Sequence, residues 1–219
     1  MTAIRVSAYR WVPPFAQGLV RDLRVRWALE EAGLPYEERL LDFRDKPEGY
    51  RKLQPFGQVP TFEEGSLVLF ESGAIVQHIA ERSSALLPTD PSARARTTSW
   101  MFAALNSVEP SIMSLIQIDL KFAEDSSAMR LRESAVDAVK ARLDGVAAWL
   151  GGRDYLEDRF TAGDLLMATV LRIPRHTDLV ASTPVLAAYL ARCEARPAFQ
   201  KALAAQMAVF ANNAAPTQL

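Results

Sequence analysis

Cysteine is nearly absent from this chain. Cys193 stands alone among 219 residues, which excludes an intrachain disulfide, a Cys-x-x-Cys redox pair and a thiolate cluster for zinc. Histidine is almost as scarce: His78 and His176 are the only two, and both read as helix-face residues rather than ligands, so no metal site is expected. An excess of one charge is missing too. The 25 basic and 26 acidic residues balance to a formal −1, which gives no electrostatic reason to expect nucleic acid or an anionic membrane as partner. No run approaches the roughly 20 apolar residues of a membrane span, and Met1 to Tyr9 lacks the apolar stretch of a signal sequence. These absences predict a soluble cytoplasmic protein. Any thiol chemistry it does must use a thiol carried by a ligand.

What the chain does have is a 49% hydrophobic composition, enough to bury the core of one or two domains. The first eighty residues mix two periods. Ile4 to Tyr9 alternates as a strand, and Val25, Ala28, Leu29 and Ala32 share one face of a helix that Gly33-Leu34-Pro35 ends. Tyr36 to Leu41 reads as a second strand. Thr61-Phe62 and Leu67 to Phe70 flank a turn at Glu64-Gly65-Ser66 as a hairpin, and Ile75 with Ile79 marks a helix ending near Arg82. Beyond a Ser- and Pro-containing break nearly everything reads as helix. Ala93 to Phe122 forms one long pattern kinked at Pro110, and Met129 to Leu150 another, closed by Gly151-Gly152. Shorter helices near Ala162 to Ile173, Pro184 to Glu194 and Pro197 to Phe210 follow. The predicted architecture is an α/β domain over residues 1–83, a linker over 84–91 and an all-α domain over 92–219.

Thr161 and Asp164 have the spacing of a capping box, with Phe160 and Leu165 as its hydrophobic staple. This pattern nucleates a buried helix and needs no chemical role. Two other segments point to a ligand. A proline that opens a strand cannot donate to the ladder, so Val59-Pro60 suits a ligand-facing edge where the Val59 N–H and C=O pair with an extended peptide. Ser72 is placed to cap the next helix, where its hydroxyl and amide, at the positive end of the helix, can hold a carboxylate. Glu71 beside it can accept from an ammonium group. Together these residues describe a pocket for a small zwitterionic peptide.

The stretches Trp27 to Glu37, Gln54 to Phe62, Glu71 to Arg82 and the capped helix at Thr161 resemble the glutathione transferase superfamily. The resemblance spans most of the chain, with its specific motifs in the first domain. It implies a thioredoxin-like N-terminal domain, an all-helical C-terminal domain, glutathione as cosubstrate, and a homodimer. It further implies that Glu71 and Ser72 hold the γ-glutamyl end, that Val59 and Pro60 face the cysteinyl backbone with Gln58 beside them, and that Lys46 meets the glycyl carboxylate. The departure lies in Tyr9 to Asp22. Leu19, Val20 and Arg21 occupy the positions where the superfamily carries a serine or cysteine, so no hydroxyl or thiol falls there. Arg21 by charge and Tyr9 by hydrogen bond are the remaining candidates for stabilising a thiolate. Trp11 and Phe15 in the loop, with Trp100 and Asn106 on the long helix, are the candidates for an apolar second substrate held between the domains.

Three functions follow from these residues. The first is transfer of glutathione to a small apolar electrophile. The second is glutathione-dependent reduction of a peroxide or disulfide. The third, of a different class, is a non-catalytic glutathione-binding, ligand-carrier or interaction module.

Overall fold

A computed structural model describes residues 3–121, 126–213 and 215. The chain divides into two compact units: Met1–Leu87 with Ala195–Leu219, and Pro88–Glu194. The first unit carries β1 (Ile4–Tyr9), α1 (Asp22–Ala32), β2 (Tyr36–Leu41), β3 (Thr61–Glu64), β4 (Leu67–Phe70), α2 (Ser72–Ala80) and, from the end of the chain, α8 (Pro197–Ala211). The sheet order is β2-β1-β3-β4. β2 runs parallel to β1, from Ile4 opposite Tyr36 to Tyr9 opposite Leu41, while β3 is antiparallel to β1 and β4 to β3. A parallel pair needs a crossover, and α1 supplies it. Gly33 ends that helix in the left-handed region at φ 66°, its N–H reaching the Leu29 and Glu30 carbonyls. Phe62, Ile75 and Ile79 are fully buried, and each contributes roughly 1.5–3 kcal/mol by leaving water.

Helix α1 is buried without interruption from Asp22 to Leu29, Arg24 and Arg26 included. A helix enclosed on all sides needs a second cover, and α8 provides it. The Trp27 and Phe199 rings meet edge-on at 4.8 Å. Arg196 grips the Glu31 carboxylate at 2.6 and 2.8 Å, and Lys201 reaches Glu30 at 2.7 Å. The sequence division placed this last helix with the helical half; its packing places it in the first unit. Periodicity shows that a face is apolar, but not which distant element will cover it.

The second unit is helical: α3 (Pro91–Phe102), α4 (Glu109–Lys121), α5 (Ser126–Leu150), α6 (Ala162–Leu171) and α7 (Pro184–Glu194). The pattern read from Ala93 to Phe122 is one helical run interrupted at Ala103–Val108, where the backbone widens to a π-helix; Phe122 itself lies outside the described residues. Pro110 is the cause. It cannot donate to the carbonyl four residues back, and its ring crowds that carbonyl. The Glu109 N–H accordingly bonds to Ala104 O, five residues back. The expected kink is thus a change of register just before the proline.

Every residue of α6 is buried. Thr161 caps it, with its Oγ1 accepting from the Gly163 N–H at 3.2 Å, and Asp164 returns a bond to the Thr161 N–H at 2.9 Å. Gly163 lets α6 approach α3. A Cβ added there would lie 2.8 Å from Trp100 Cβ and 3.4 Å from the Thr97 carbonyl oxygen. Replacing glycine with alanine inside a helix normally gains about 1 kcal/mol, but overpacking costs about 1–3 kcal/mol. Gly163→Ala is therefore expected to destabilise on balance, by about 1–2 kcal/mol, seen as a lower urea midpoint. A midpoint equal to or above the wild type would show that α3 yields freely.

Candidate functional site

A buried polar network supports the Val59–Pro60 turn, whose peptide bond is cis. Ser7, on the central strand, accepts from the Thr61 N–H at 2.6 Å and from the Thr61 hydroxyl at 2.9 Å. Its own oxygen lies 2.9 Å from the Tyr50 hydroxyl, which donates to the Gln58 carbonyl at 2.7 Å. The Gln58 N–H in turn bonds to Gln54 Oε1 at 3.1 Å. These bonds fix both sides of Val59 while its own N–H and C=O have no hydrogen-bond partner among the described residues. A held backbone edge with unpaired groups is what strand addition requires. The Gln58 side chain is exposed beside it.

Helix α2 begins at Ser72. Glu71, just before it, sits at φ 66° and ψ 113°, and among the described residues it is the only non-glycine with positive φ. Such a conformation costs an L-residue on the order of 1–3 kcal/mol, so the surrounding turn holds Glu71 where it is. Its carboxylate is exposed and has no partner among the described residues. Ser72 is 5% exposed, and its Oγ accepts from the guanidinium of Arg24 at 3.2 Å. That bond leaves the Ser72 hydroxyl proton free to be directed at an incoming acceptor. Arg24 is 3% exposed, so a buried cation lies behind the positive end of α2. Helix dipole and cation act in the same direction, and both favour an anion at Ser72.

At the end of β1, Tyr9 packs on Leu41, Tyr50 and Val59 together with Val20 and Leu53. Phe43 meets its ring edge-on at 5.3 Å, and Lys46 Nζ lies 5.3 Å from the ring centroid while donating to the Phe43 carbonyl at 2.9 Å. Burial, then the neighbouring Tyr50 and Asp22, push the Tyr9 phenol up to about 12. At neutral pH it is a protonated donor and cannot serve as a base. Arg21 occupies the N-cap of α1 and is exposed, without a side-chain capping bond. Val20, at one of the positions where the superfamily carries a serine or cysteine, is spent on packing.

The remaining candidates fall in two places. Trp11 is half-buried in the loop after β1, and Phe15 is 59% exposed on a short 3-10 turn at Pro14–Ala16. Trp100 and Asn106 belong to the second unit. Trp100 stacks at a tilt on Trp149, with ring centroids 5.2 Å apart, and its Cβ closes over Gly163. Asn106 is exposed on the π-helical stretch. Ser7, Tyr50, Gln54 and Arg24 were not singled out in the sequence. The available signal was a serine amid the apolar residues of β1 and two arginines inside an otherwise buried helix; each such polar group demands a buried partner.

Two family models match the chain: the glutathione S-transferase N-terminal domain over residues 17–81 and the C-terminal domain over residues 113–197. A glutathione S-transferase of Hyoscyamus muticus is 33% identical over 200 residues, covering 83% of this chain and 92% of that protein. The crystal structure of poplar glutathione transferase F1 superposes with a TM-score of 0.79 at 26% identity, covering 95% of this chain and 100% of that one. A glutathione transferase of Burkholderia graminis, solved with two glutathione molecules per subunit, gives a TM-score of 0.79 at 25% identity over 92% of this chain and 88% of that one. The four-stranded mixed sheet, the helices after it and matches across both halves lead to one conclusion: this chain belongs to the glutathione S-transferase family.

Proposed function

We propose that the first unit binds glutathione and presents its thiolate to a small apolar electrophile, in a cytoplasmic homodimeric transferase. One observation carries the reading. The unit holds an unpaired backbone edge at Val59 together with a helix start at Ser72 that is backed by a buried arginine. The first matches a peptide backbone and the second a carboxylate, and glutathione has both. Glu71 receives the γ-glutamyl ammonium, Lys46 turns from the Phe43 carbonyl to the glycyl carboxylate, and Gln58 and Pro60 flank the cysteinyl residue.

The thiol has to be ionised. A free thiol titrates near 8.5, and bringing it down by about 1.5 requires roughly 2 kcal/mol of thiolate stabilisation. Tyr9, held protonated next to Val59, supplies a hydrogen bond, and Arg21 adds charge at the start of α1. Trp11 and Phe15, in the loop after β1, are the proposed contacts of the second substrate within this unit. An apolar Val20 in place of a thiol or hydroxyl favours one further reading, reduction of glutathione mixed disulfides, which relies less on a single activating side chain.

Calorimetric titration with glutathione, paired with a pH titration of the bound thiol's absorbance, tests the proposal. Binding with a thiol that ionises well below 8.5 is the expected result. No binding would sink it. Binding with an unmoved thiol would leave a carrier or interaction module. Rates with apolar electrophiles, organic peroxides and mixed disulfides then separate transfer from reduction.

A further inference from the structure

Helix α8 reaches the thiol end of the candidate site through one buried side chain. Gln206 is 1% exposed, and its Nε2 donates to the Val20 carbonyl at 3.2 Å and to the Asp22 carboxylate at 2.8 Å. Its Oε1 is buried without a partner among the described residues. The two acceptors set the amide's orientation, because turning it over would aim Oε1 at a carbonyl and a carboxylate.

Those acceptors adjoin the site. Val20 packs on the group that includes Tyr9 and Val59, and the charge of Asp22 is one of the causes that keep the Tyr9 phenol protonated. The other Asp22 oxygen accepts from Arg26 at 2.7 Å, and Arg26 also pairs with Glu38 on β2. The charged and titratable groups around Asp22 are thus Arg26 on its own helix, Glu38 through Arg26, and Tyr9 with Tyr50 beyond it. Gln206 is the neutral member. It binds both the residue that packs on the site and the residue whose charge reaches it.

We propose that Gln206 is a positioning residue for the thiol end of the glutathione site, fixing the first turn of α1 against Tyr9 and Val59 from a helix at the far end of the chain. The inference rests on the glutathione-binding reading above. Ser72 on α2, Glu71 just before it and the Val59 backbone grip the peptide without this contact. Loss of Gln206 loosens the first turn of α1, the positive end of that helix, next to which Arg21 stands as the N-cap. Thiolate stabilisation suffers and peptide affinity does not.

The test uses the full chain with Gln206→Met and Gln206→Glu, glutathione as ligand, and two readouts: the dissociation constant by calorimetry and the ionisation of the bound thiol by absorbance. For Gln206→Met the dissociation constant should stay within about threefold while the thiolate fraction at neutral pH falls about tenfold, one pKa unit. Gln206→Glu keeps the shape. In acid its protonated carboxyl can donate to Asp22, so the variant should match the wild type there and fall behind as the pH rises and the two carboxylates repel. This second variant carries its own folded reference should the methionine variant not fold. Retained binding with unchanged thiol ionisation in both variants would overturn the role of Gln206 alone, and so would a proportionate loss of affinity and ionisation. Failure of the wild type to bind glutathione would overturn the site reading along with it.

Discussion

Replacing Asp164 with alanine is expected to destabilise the second unit by about 3–5 kcal/mol. Its carboxylate accepts four hydrogen bonds: from the Leu156 N–H at 2.8 Å, the Thr161 N–H at 2.9 Å, the Thr161 hydroxyl at 3.1 Å and the Tyr189 hydroxyl at 3.0 Å. The hydroxyl of Thr161 can turn elsewhere. The two backbone donors and the enclosed Tyr189 hydroxyl cannot, and each buried donor left unsatisfied costs about 1–3 kcal/mol. Loss of the capping box adds about 1 kcal/mol at the start of a helix that has no exposed residue. Urea unfolding followed by far-ultraviolet circular dichroism measures the deficit, and a change below about 1.5 kcal/mol would show that water replaces the carboxylate.

The deficit should also depend on pH, with a definite sign. Burial holds the Asp164 carboxyl above the ordinary carboxylate range, against the pull of its four donors. A group whose folded pKa is raised gives its full stabilisation below the unfolded pKa and loses part of it as the pH rises through the folded one. Asp164→Ala should therefore lag the wild type by more in acid than at neutral pH. The opposite trend would mean that the donors outweigh burial.

Ser72→Ala is expected to weaken glutathione binding by roughly 30- to 150-fold, about 2–3 kcal/mol. Two losses combine. The ligand carboxylate forfeits a charge-assisted bond from a hydroxyl that has little alternative use, and the Arg24 guanidinium loses the acceptor it has at 3.2 Å. Arg24→Gln should reproduce part of the effect with Ser72 intact, since it removes the cation but keeps a donor. Calorimetric affinities for the wild type and the two variants decide the matter. A Ser72→Ala affinity within threefold of the wild type would show that the helix amides suffice without the hydroxyl.

The strands, their order along the chain and the shift to helix after residue 91 were legible because alternation and 3.6-residue periodicity report directly on which face is buried. The capping box at Thr161 was legible because its two partners sit three residues apart. Ser7 and Tyr50 were not, because they act across the fold: the Ser7 hydroxyl bonds to Thr61 from 54 residues away, and Tyr50 lies 43 from Ser7. The helix register at Pro110 was half legible. Proline forbids one bond, but whether the chain bends or widens depends on what packs around it. Arg24 stayed hidden for a related reason, since an arginine at a helix start reads as solvated until a serine 48 residues later closes over it.

The placement of α8 bears on how the chain is made. Phe199, Arg196 and Gln206, which cover α1, are made long after it: Arg196 follows its partner Glu31 by 165 residues. The segment between them, Pro88–Glu194, is a compact unit in its own right. Until α8 is made, Trp27 therefore lacks the Phe199 ring that packs on it. A chain that stops before residue 195 leaves that face of α1 without its cover, and apolar surface exposed in this way is prone to aggregation.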